Sequence, residues 1–458
     1  MLARYIACDA TRHGFAQTNS HLRTNRRNAR FTPTTELARP TFGALHLIAE
    51  SPVRLTTFFL CAACLLIDRS SLLYADPAPE PSPAVRFQSQ DKVVSFETDF
   101  AGGKIDQLVE LGGDDFEILI RPEKEPINDS AWYAFRVHST NPRHINVRLR
   151  YEGGSHRYEP KISHNRVEWQ SAEHLIVARH PGGQEVTLRL PVNNQVLWVA
   201  GQELVGNKDI AGWVDTLAQF PFVESSLAGR SVQDRPIHRL AIGNPDSKEV
   251  IYALSRQHPP EVTGTIGMMH FIEALCGDTE LAKRYREEFL TVAIPIANPD
   301  GVAKGYWRSN ANGVDLNRDW LKFQEPETRS IRDDLVRLRG EQEKRLWLFL
   351  DFHSTYNEVF YTVPKQTKLF PEGFTAEWLK SLNGRMGDST MLRDDGHNAH
   401  RSISKAWVAR ELGIHAVTYE FGDETDRERI RKIAIGSAEE MMKILLARKA
   451  NLSPTVSR

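Results

Sequence analysis

The sequence lacks several features that would each point to a particular class of protein. Its 458 residues include only four cysteines, three of them near the amino terminus, and no repeated CxxC pair of the kind that holds structural zinc. The formal net charge is -1, which gives no electrostatic reason to expect a nucleic acid partner. No apolar run is long enough to cross a bilayer as a helix. The function must therefore be deduced from local groups of residues.

The first 87 residues are expected to precede the folded domains. Residues 1–53 are rich in arginine, threonine and asparagine without a sustained apolar period, which predicts a disordered or misannotated leader. Residues 54–75 carry an arginine before a short apolar run and end in Leu-Tyr-Ala, which is typical of a signal peptide; a structural helix or a membrane anchor is the alternative. Residues 76–87 form a predicted Pro-rich linker. A signal peptide predicts a periplasmic or secreted protein without a stable membrane span, with the cytoplasm as the alternative.

Two folded domains are predicted after this linker. Residues 88–208 contain short runs, several of which alternate apolar and polar residues, separated by Gly, Pro, Asn and Asp; this pattern predicts a small antiparallel β-sandwich. Residues 209–450 contain continuous apolar runs, such as 250–254 and 346–350, that are separated by helical stretches. Buried strands that alternate with helices predict an α/β domain with a mixed or parallel sheet.

Two histidines and a glutamate near the ends of predicted strands form a candidate metal site. His258 and Glu261 follow the run 250–254, and His353 follows the run 346–350. Functional groups gather at the carboxyl ends of strands in open α/β sheets, and two imidazoles with one carboxylate can hold a catalytic zinc. Taken singly, each signal is weak, because His-x-x-Glu arises by chance and a histidine in this position can be a hydrogen-bonded core residue.

The segment between these ligands adds turn and arginine motifs. Asn298-Pro-Asp-Gly301 predicts a turn after the apolar run 290–294. Arg308 and Arg318 follow, and arginine offers a fixed fork of donors that suits a carboxylate. Asn317, next to Arg318, adds an uncharged donor.

Taken in order, the motifs resemble the M14 zinc carboxypeptidase family. The resemblance covers about residues 210–445: His-x-x-Glu, Asn-Pro-Asp-Gly, Trp-Arg, Asp-x-Asn-Arg, a strand that ends in His-Ser and a final strand that ends in Glu420. The preceding β-rich region, with its segment 132–135, is similar to the amino-terminal domain of the cytosolic-carboxypeptidase-like subfamily. The resemblance implies a mixed eight-stranded sheet flanked by helices, one Zn²⁺ per chain, and a hydrolase that removes C-terminal residues from peptides or proteins.

The resemblance also implies a role for each motif residue near the metal. His258, Glu261 and His353 correspond to the zinc ligands. Asp315 corresponds to the carboxylate that orients the first ligand histidine. Glu420 corresponds to the catalytic acid/base. Without the resemblance, Asp315 can equally be a solvated loop residue and Glu420 part of a salt bridge at a strand end.

Three further residues correspond to the substrate contacts of the family. Arg308 matches the arginine that polarises the scissile carbonyl and stabilises the developing oxyanion. Asn317 and Arg318 match the pair that binds the terminal carboxylate of the substrate. These contacts would restrict cleavage to chain ends, because an internal peptide bond has no carboxylate beside it.

The sequence departs from the pancreatic-type members of the family before Glu420. Those members carry a tyrosine in a mobile loop there, whereas no tyrosine lies between Tyr361 and Tyr419 of this chain. Lys405 lies fifteen residues before Glu420, about where the family sets its side-chain preference. A buried lysine there predicts a preference for acidic C-terminal residues, whereas an exposed lysine would have no such role.

Two other functions are compatible with parts of this pattern. An aspartoacylase-like or desuccinylase-like amidohydrolase would share the zinc ligands. A non-catalytic peptide-binding protein on the same fold would not need Glu420 beside a complete ligand set. The Asn-Pro-Asp-Gly and Asp-x-Asn-Arg motifs, together with the additional β-rich domain, favour the peptidase.

Overall fold

A computed structural model of the chain describes residues 85–341, 344–387 and 391–452. The predicted leader at 1–53, the predicted signal peptide at 54–75 and most of the predicted linker lie outside the described residues. Within the described part, no helix combines the length and the apolar character that a membrane span requires.

The first part of the described chain is rich in strands, with one short 3-10 helix at Glu173–Leu175. The strands are β1 (Arg86–Gln88), β2 (Val94–Glu97), β3 (Gln107–Gly112), β4 (Asp115–Ile120), β5 (Ala134–Ser139), β6 (Arg143–Tyr151), β7 (Lys161–Ser163), β8 (Gln170–Ser171), β9 (Ile176–Arg179), β10 (Glu185–Val192) and β11 (Leu197–Ala200). They form a six-stranded sheet, β1-β2-β5-β11-β7-β8, and a five-stranded sheet, β3-β4-β6-β10-β9.

Alternating side chains build the core between these two sheets. In β6, Ile145, Val147 and Leu149 are buried while their neighbours are more exposed, as a strand with one covered face requires. The prediction of an antiparallel sandwich holds for the described strand pairs except one, because β4 runs parallel to β6. Between these two strands the chain passes through β5 in the other sheet, and this crossover lets β6 return in the direction of β4.

The second part of the chain alternates strands and helices. Its strands are β12 (Val223–Arg230), β13 (Pro236–Gly243), β14 (Glu249–Ser255), β15 (Phe289–Ile294), β16 (Arg345–Thr355), β17 (Val359–Thr362), β18 (Leu392–Asp395) and β19 (His415–Gly422). Its helices are α1 (Asn207–Leu217), α2 (Val262–Cys276), α3 (Glu280–Glu288), α4 (Pro299–Lys304), α5 (Pro326–Gly340), α6 (Phe374–Met386), α7 (Ser404–Leu412) and α8 (Arg427–Leu452), with a 3-10 turn at Leu316–Arg318.

The eight strands form one mixed sheet in the order β12-β13-β15-β14-β16-β19-β17-β18. The central strands β15, β14, β16 and β19 are parallel, and antiparallel pairs occur towards both edges. This confirms the predicted α/β architecture with a mixed eight-stranded sheet. The division between domains at residue 208 remains a prediction, and α1 begins beside it at Asn207.

Helices cover both faces of the central strands, which explains their continuous apolar sequence. All seven residues of β14 are buried. Ile251 and Ala253 share a core with α2, α6 and α8, whereas Val250, Tyr252 and Leu254 share a core with α5 and α7. Side chains that alternate between two covered faces must all be apolar, so these strands show no polar period.

Candidate metal and active site

The candidate site lies at the carboxyl ends of three adjacent parallel strands. His258 and Glu261 follow β14, and Glu261 is the residue from which α2 begins. His353 lies near the end of β16, directly opposite Glu420 in the neighbouring strand β19. Paired residues of parallel strands point to the same face, so the strand register places the side chains of His353 and Glu420 side by side.

The three candidate ligands converge around one point. Ligand atoms of His258, Glu261 and His353 all lie within 4.8 Å of one another, and all three side chains are buried. Nδ1 of His258 is 2.7 Å from Oε1 of Glu261, and Nδ1 of His353 is 2.6 Å from Oε2 of the same carboxylate. Both histidines therefore present the same ring nitrogen to the shared glutamate.

The opposite ring nitrogens are held by two aspartates. Nε2 of His258 lies 3.0 Å from Oδ1 of Asp315, and Nε2 of His353 lies 3.0 Å from Oδ2 of Asp351. An imidazole that donates its Nε2–H to a carboxylate keeps the lone pair of Nδ1 for a metal. This arrangement selects the tautomer that a pair of metal-binding histidines requires.

The charges around these residues favour a cation at this point. Burial by itself would raise the pKa of Glu261, but His258 and His353 lower that pKa well below its usual value. Burial would lower the pKa of His353, but Asp351 and Glu261 raise it well above its usual value. The surroundings therefore stabilise positive charge beside Glu261, which a divalent cation bound by these three side chains would supply. The residues present fit a zinc ion.

Glu420 is a buried carboxyl group beside the candidate metal ligands. Oε2 of Glu420 has no hydrogen-bond partner among the described residues. Burial raises the pKa of Glu420 to about 8, against the opposing effect of His353, and the negative charge of Glu261 adds to the rise. A carboxyl group whose pKa lies near neutrality can both accept and donate a proton at physiological pH.

Arg308 is fixed next to the candidate ligands by Asp315. The guanidinium Nε of Arg308 donates to Oδ2 of Asp315 over 2.6 Å, while the other oxygen of Asp315 faces His258. Burial would raise the pKa of Asp315, but His258 and Arg308 outweigh it and lower this pKa well below its usual value. Asp315 therefore connects the position of Arg308 to that of a candidate metal ligand.

Asn317 and Arg318 lie on the 3-10 turn that follows Asp315. Nδ2 of Asn317 is 3.4 Å from Nε2 of His353, and its Oδ1 accepts a hydrogen bond from the backbone N–H of Ser404. Arg318 is half-buried, and its Nη1 donates to the backbone oxygen of Asn317 over 2.7 Å. The turn therefore lies beside the candidate metal ligands and carries a guanidinium group with five N–H donors.

Lys405 is enclosed at the start of α7, with only 1% of its surface exposed. Burial lowers its pKa to about 8, while the negative charges of Glu420, Asp394 and Asp351 oppose this change. The ammonium group lies 5.2 Å from the centre of the Tyr361 ring, which also stacks on the imidazole of His397. The structure thus places a buried cation near Glu420.

Three residues outside the predicted site support His353: Asp351 contacts it directly, and Gln257 and Ser404 hold Asp351. Gln257 donates to Oδ2 of Asp351 over 2.6 Å and accepts from the indole of Trp320 over 2.8 Å. Ser404 also donates to the same oxygen of Asp351. The spacing of Asp351 and His353 was available as a signal, because residues two apart on a strand share a face. The role of Gln257 had no such signal.

The Asn-Pro-Asp-Gly motif does more than form a turn. Asn298 caps α4 by accepting a hydrogen bond from the backbone N–H of Gly301. Its side-chain amide also donates to the backbone oxygens of Gln257 and Ser309. Asn298 therefore connects the segment before His258 to the loop that carries Arg308.

The sequence matches two known domain families in chain order. The profile of the cytosolic carboxypeptidase N-terminal domain matches residues 96–201, and that of the zinc carboxypeptidases, M14, matches residues 210–439. Among curated proteins, cytosolic carboxypeptidase 3 of Mus musculus is 23% identical over 303 residues, which cover 59% of this chain and 30% of that protein. Cytosolic carboxypeptidase 2 of Homo sapiens is 22% identical over 317 residues, which cover 59% of this chain and 34% of that protein.

Solved structures share the fold of the described chain. A metallo-carboxypeptidase from Burkholderia cenocepacia aligns with a TM-score of 0.64 and 19% identity, over 78% of this chain and 100% of its own. A metallo-carboxypeptidase from Pseudomonas aeruginosa, in complex with (2-guanidinoethylmercapto)succinic acid, aligns with a TM-score of 0.65 and 22% identity, over 77% of this chain and 99% of its own. The chain spans about a third of the curated relatives described above. It belongs to the M14 zinc carboxypeptidase family and carries an amino-terminal domain of the cytosolic carboxypeptidase type.

Proposed function

We propose that the protein is a zinc metallocarboxypeptidase that hydrolyses C-terminal residues from peptides or proteins. The observation that carries this proposal is the convergence of His258, Glu261 and His353, with Glu420 directly opposite His353 in the sheet. A binding protein has no need of a buried carboxyl group beside a metal site, whereas a hydrolase needs a proton acceptor there.

Each residue of the site has a separate role in the proposed reaction. A zinc ion, when bound by His258, Glu261 and His353, supplies Lewis-acid activation of water and of the scissile carbonyl. Glu420 accepts the proton of the attacking water and later donates it to the leaving amine. Arg308, held by Asp315, stabilises the negative charge that develops on the carbonyl oxygen as attack proceeds.

Arg318 and Asn317 are proposed to bind the terminal carboxylate of the substrate. The half-buried Arg318 offers donors of the geometry that carboxylates accept, and Asn317 contacts both Arg318 and His353. This placement would hold the last peptide bond of a chain close to the metal ligands. It also distinguishes a carboxypeptidase from an amidohydrolase that shares only the ligand set.

Amidation of the substrate C-terminus is therefore expected to lower kcat/KM by at least about 10²-fold, because Arg318 loses its charged partner. The measurement compares one peptide with a free C-terminus and with a C-terminal amide, using enzyme whose zinc content has been determined. In an Arg318→Ala variant the two peptides should differ by less than tenfold. Equal cleavage of both peptides by the wild type would contradict the carboxypeptidase assignment and favour an amidohydrolase.

Lys405 supports a preference for acidic C-terminal residues. An ammonium group with 1% exposure is costly to keep charged, which is why burial lowers its pKa to about 8. A carboxylate on the last side chain of the substrate would supply a partner and offset this cost. Leucine at the same position would leave the cation without an additional partner.

The ratio of kcat/KM for peptides ending in Glu and in Leu is expected to fall on the order of 10²-fold in Lys405→Met, which keeps the length of the side chain but removes its charge. In the wild type the ratio should be high below pH 8 and fall as pH rises through about 8, since the free ammonium group then loses its proton. Ionisation of Glu420 affects both peptides alike and cancels in the ratio. A wild-type ratio near one, or one unchanged in Lys405→Met, would exclude Lys405 as the selectivity residue.

The relatives support a cytoplasmic location, in contrast to the location that the predicted leader implies. The matched relatives are named cytosolic carboxypeptidases, which supports the cytoplasmic alternative over the periplasmic or secreted location. We therefore place the enzyme in the cytoplasm, with peptide or protein C-termini as substrates. Fractionation of cells that produce the full chain tests this placement; recovery in the periplasm or medium would contradict it.

A further inference from the structure

A glutamate of the amino-terminal domain accepts hydrogen bonds from the backbone around Arg308. Glu123 lies in the segment that joins β4 to β5. Its Oε2 accepts a hydrogen bond from the backbone N–H of Trp307 over 2.8 Å, and its Oε1 accepts from those of Arg308 and Ser309 over 3.0 and 2.7 Å. One carboxylate thus satisfies three consecutive backbone donors of the other domain.

Trp307 is anchored in the same domain as Glu123. Its side chain is fully buried and belongs to the core between the two β-sheets of the amino-terminal domain. At Gly154, an added Cβ would come within 2.7 Å of the Trp307 ring, so the backbone there lies directly against the indole. The residue that precedes Arg308 is therefore packed into the amino-terminal domain while Arg308 itself points to Asp315.

Lys124, next to Glu123, makes a second contact with the same loop of the catalytic domain. Nζ of Lys124 donates to the backbone oxygen of Gly313 over 2.9 Å, two residues before Asp315. The amino-terminal domain therefore holds both ends of the loop from Trp307 to Asp315. Arg308 and Asp315 bond to each other within that loop, and Asp315 continues to His258.

The geometry points to Glu123 as a positioning residue that sets the place of Arg308 for the transition state. This inference rests on the proposed function, in which Arg308 stabilises the developing oxyanion. Electrostatic stabilisation depends on donors held in advance where charge will appear, and a misplacement of about 1 Å can cost 10²-fold in rate. The amino-terminal domain thus contributes to catalysis through the loop, without contact between Glu123 and the candidate metal ligands.

A carboxylate suits this position better than its amide. Three N–H donors converge on two oxygens, and bonds from neutral donors to an ionised acceptor are stronger than those to a neutral one. In Glu123→Gln one oxygen becomes an NH₂ group, which opposes the backbone N–H groups that it faces. This variant has almost the same shape as the wild type and therefore tests the bonds with little change in packing.

The test uses the zinc-loaded full chain with Glu123→Gln and Glu123→Ala, and with Glu125→Gln as the matched control in the same segment. Glu125 is exposed, so its variant should keep wild-type kcat. We expect kcat to fall by about 10²-fold in Glu123→Ala and by a smaller factor in Glu123→Gln, with KM unchanged within about threefold. Equal zinc content and a similar unfolding midpoint would exclude loss of the metal site or of the fold as the cause.

A double variant that combines Glu123→Gln with Arg308→Ala shows whether Glu123 acts by positioning Arg308 or through a general structural effect. If Glu123 acts through Arg308, adding Glu123→Gln to Arg308→Ala should change kcat by no more than about twofold, because the group it positions is already absent. A further drop equal to that in the wild-type background would overturn the inference. So would a wild-type kcat in Glu123→Gln.

Hydrogen exchange tests whether Glu123 holds the Arg308 loop, and it does not depend on enzyme activity. The backbone N–H groups of Trp307, Arg308 and Ser309 should exchange with deuterium at least about tenfold faster in Glu123→Gln than in the wild type or in Glu125→Gln. Unchanged exchange would overturn the inference. If the wild type hydrolyses no peptide, the proposed function fails, but faster exchange in Glu123→Gln would still show that Glu123 holds the Arg308 loop.

Discussion

Replacement of His353 by alanine is expected to abolish stoichiometric zinc binding and to lower kcat/KM by at least about 10⁴-fold. Nδ1 of His353 is one of the atoms that converge within 4.8 Å, and its removal leaves one imidazole and one carboxylate. Two ligands do not make a catalytic zinc site, and without the ion neither water nor the carbonyl is activated. The measurements are zinc per chain after dialysis and hydrolysis of a peptide with a free C-terminus.

Thermal unfolding provides an independent measure of zinc binding at this site. A ligand that binds the folded state stabilises it by about 2.7 kcal/mol at a hundredfold excess over Kd. Zinc should therefore raise the unfolding midpoint of the metal-free wild type and of the control His174→Ala, whose histidine is exposed in the amino-terminal domain. It should leave the midpoint of His353→Ala unchanged. Full zinc occupancy in His353→Ala would contradict the proposed ligand set.

Replacement of Glu420 by glutamine is expected to lower kcat by about 10³-fold to 10⁴-fold while zinc binding is kept. Glutamine has the shape of the carboxyl group but cannot take the proton of the attacking water or return it to the leaving amine. Because Oε2 of Glu420 has no hydrogen-bond partner among the described residues, the exchange breaks no bond at that atom. The midpoint of thermal unfolding should not fall.

The contrast between the two variants separates metal binding from proton transfer. His353→Ala should lose both zinc and activity, whereas Glu420→Gln should lose activity alone. Glu411→Gln, at the exposed end of α7, serves as the control for a glutamate outside the candidate site and should keep wild-type kcat. Substantial hydrolysis by Glu420→Gln would remove Glu420 from the mechanism and leave the proton acceptor to another group.

Much of the architecture follows from sequence pattern because its cause is local. The fully apolar run around 250–254 is typical of a strand covered on both faces, and β14 is such a strand. The positions of His258, Glu261 and His353 after such strands bring them to the same edge of the sheet. Their assignment as zinc ligands drew in addition on the family resemblance, since each residue alone is an ambiguous signal.

Other features depend on contacts between residues that are distant in the chain. The parallel pairing of β4 with β6 results from a crossover through the other sheet, which no alternation of apolar residues encodes. The burial of Lys405 depends on how α7 packs, whereas the sequence alone favoured an exposed lysine. The hydrogen bond of Gln257 to Asp351 behind His353 likewise joins two residues that are 94 positions apart in the chain.

The sequence by itself determined the alternation of strands and helices, the ordered motifs and the residue types that a metal site needs, because periodicity and turn chemistry act over a few neighbouring residues. Only the tertiary structure decided that Glu420 faces His353, that Asp315 joins Arg308 to His258, and that Glu123 of one domain holds a loop of the other. These are matters of strand register and domain contact. They depend on the whole packed chain, in which hydrogen-bonding groups find partners more than a hundred residues away.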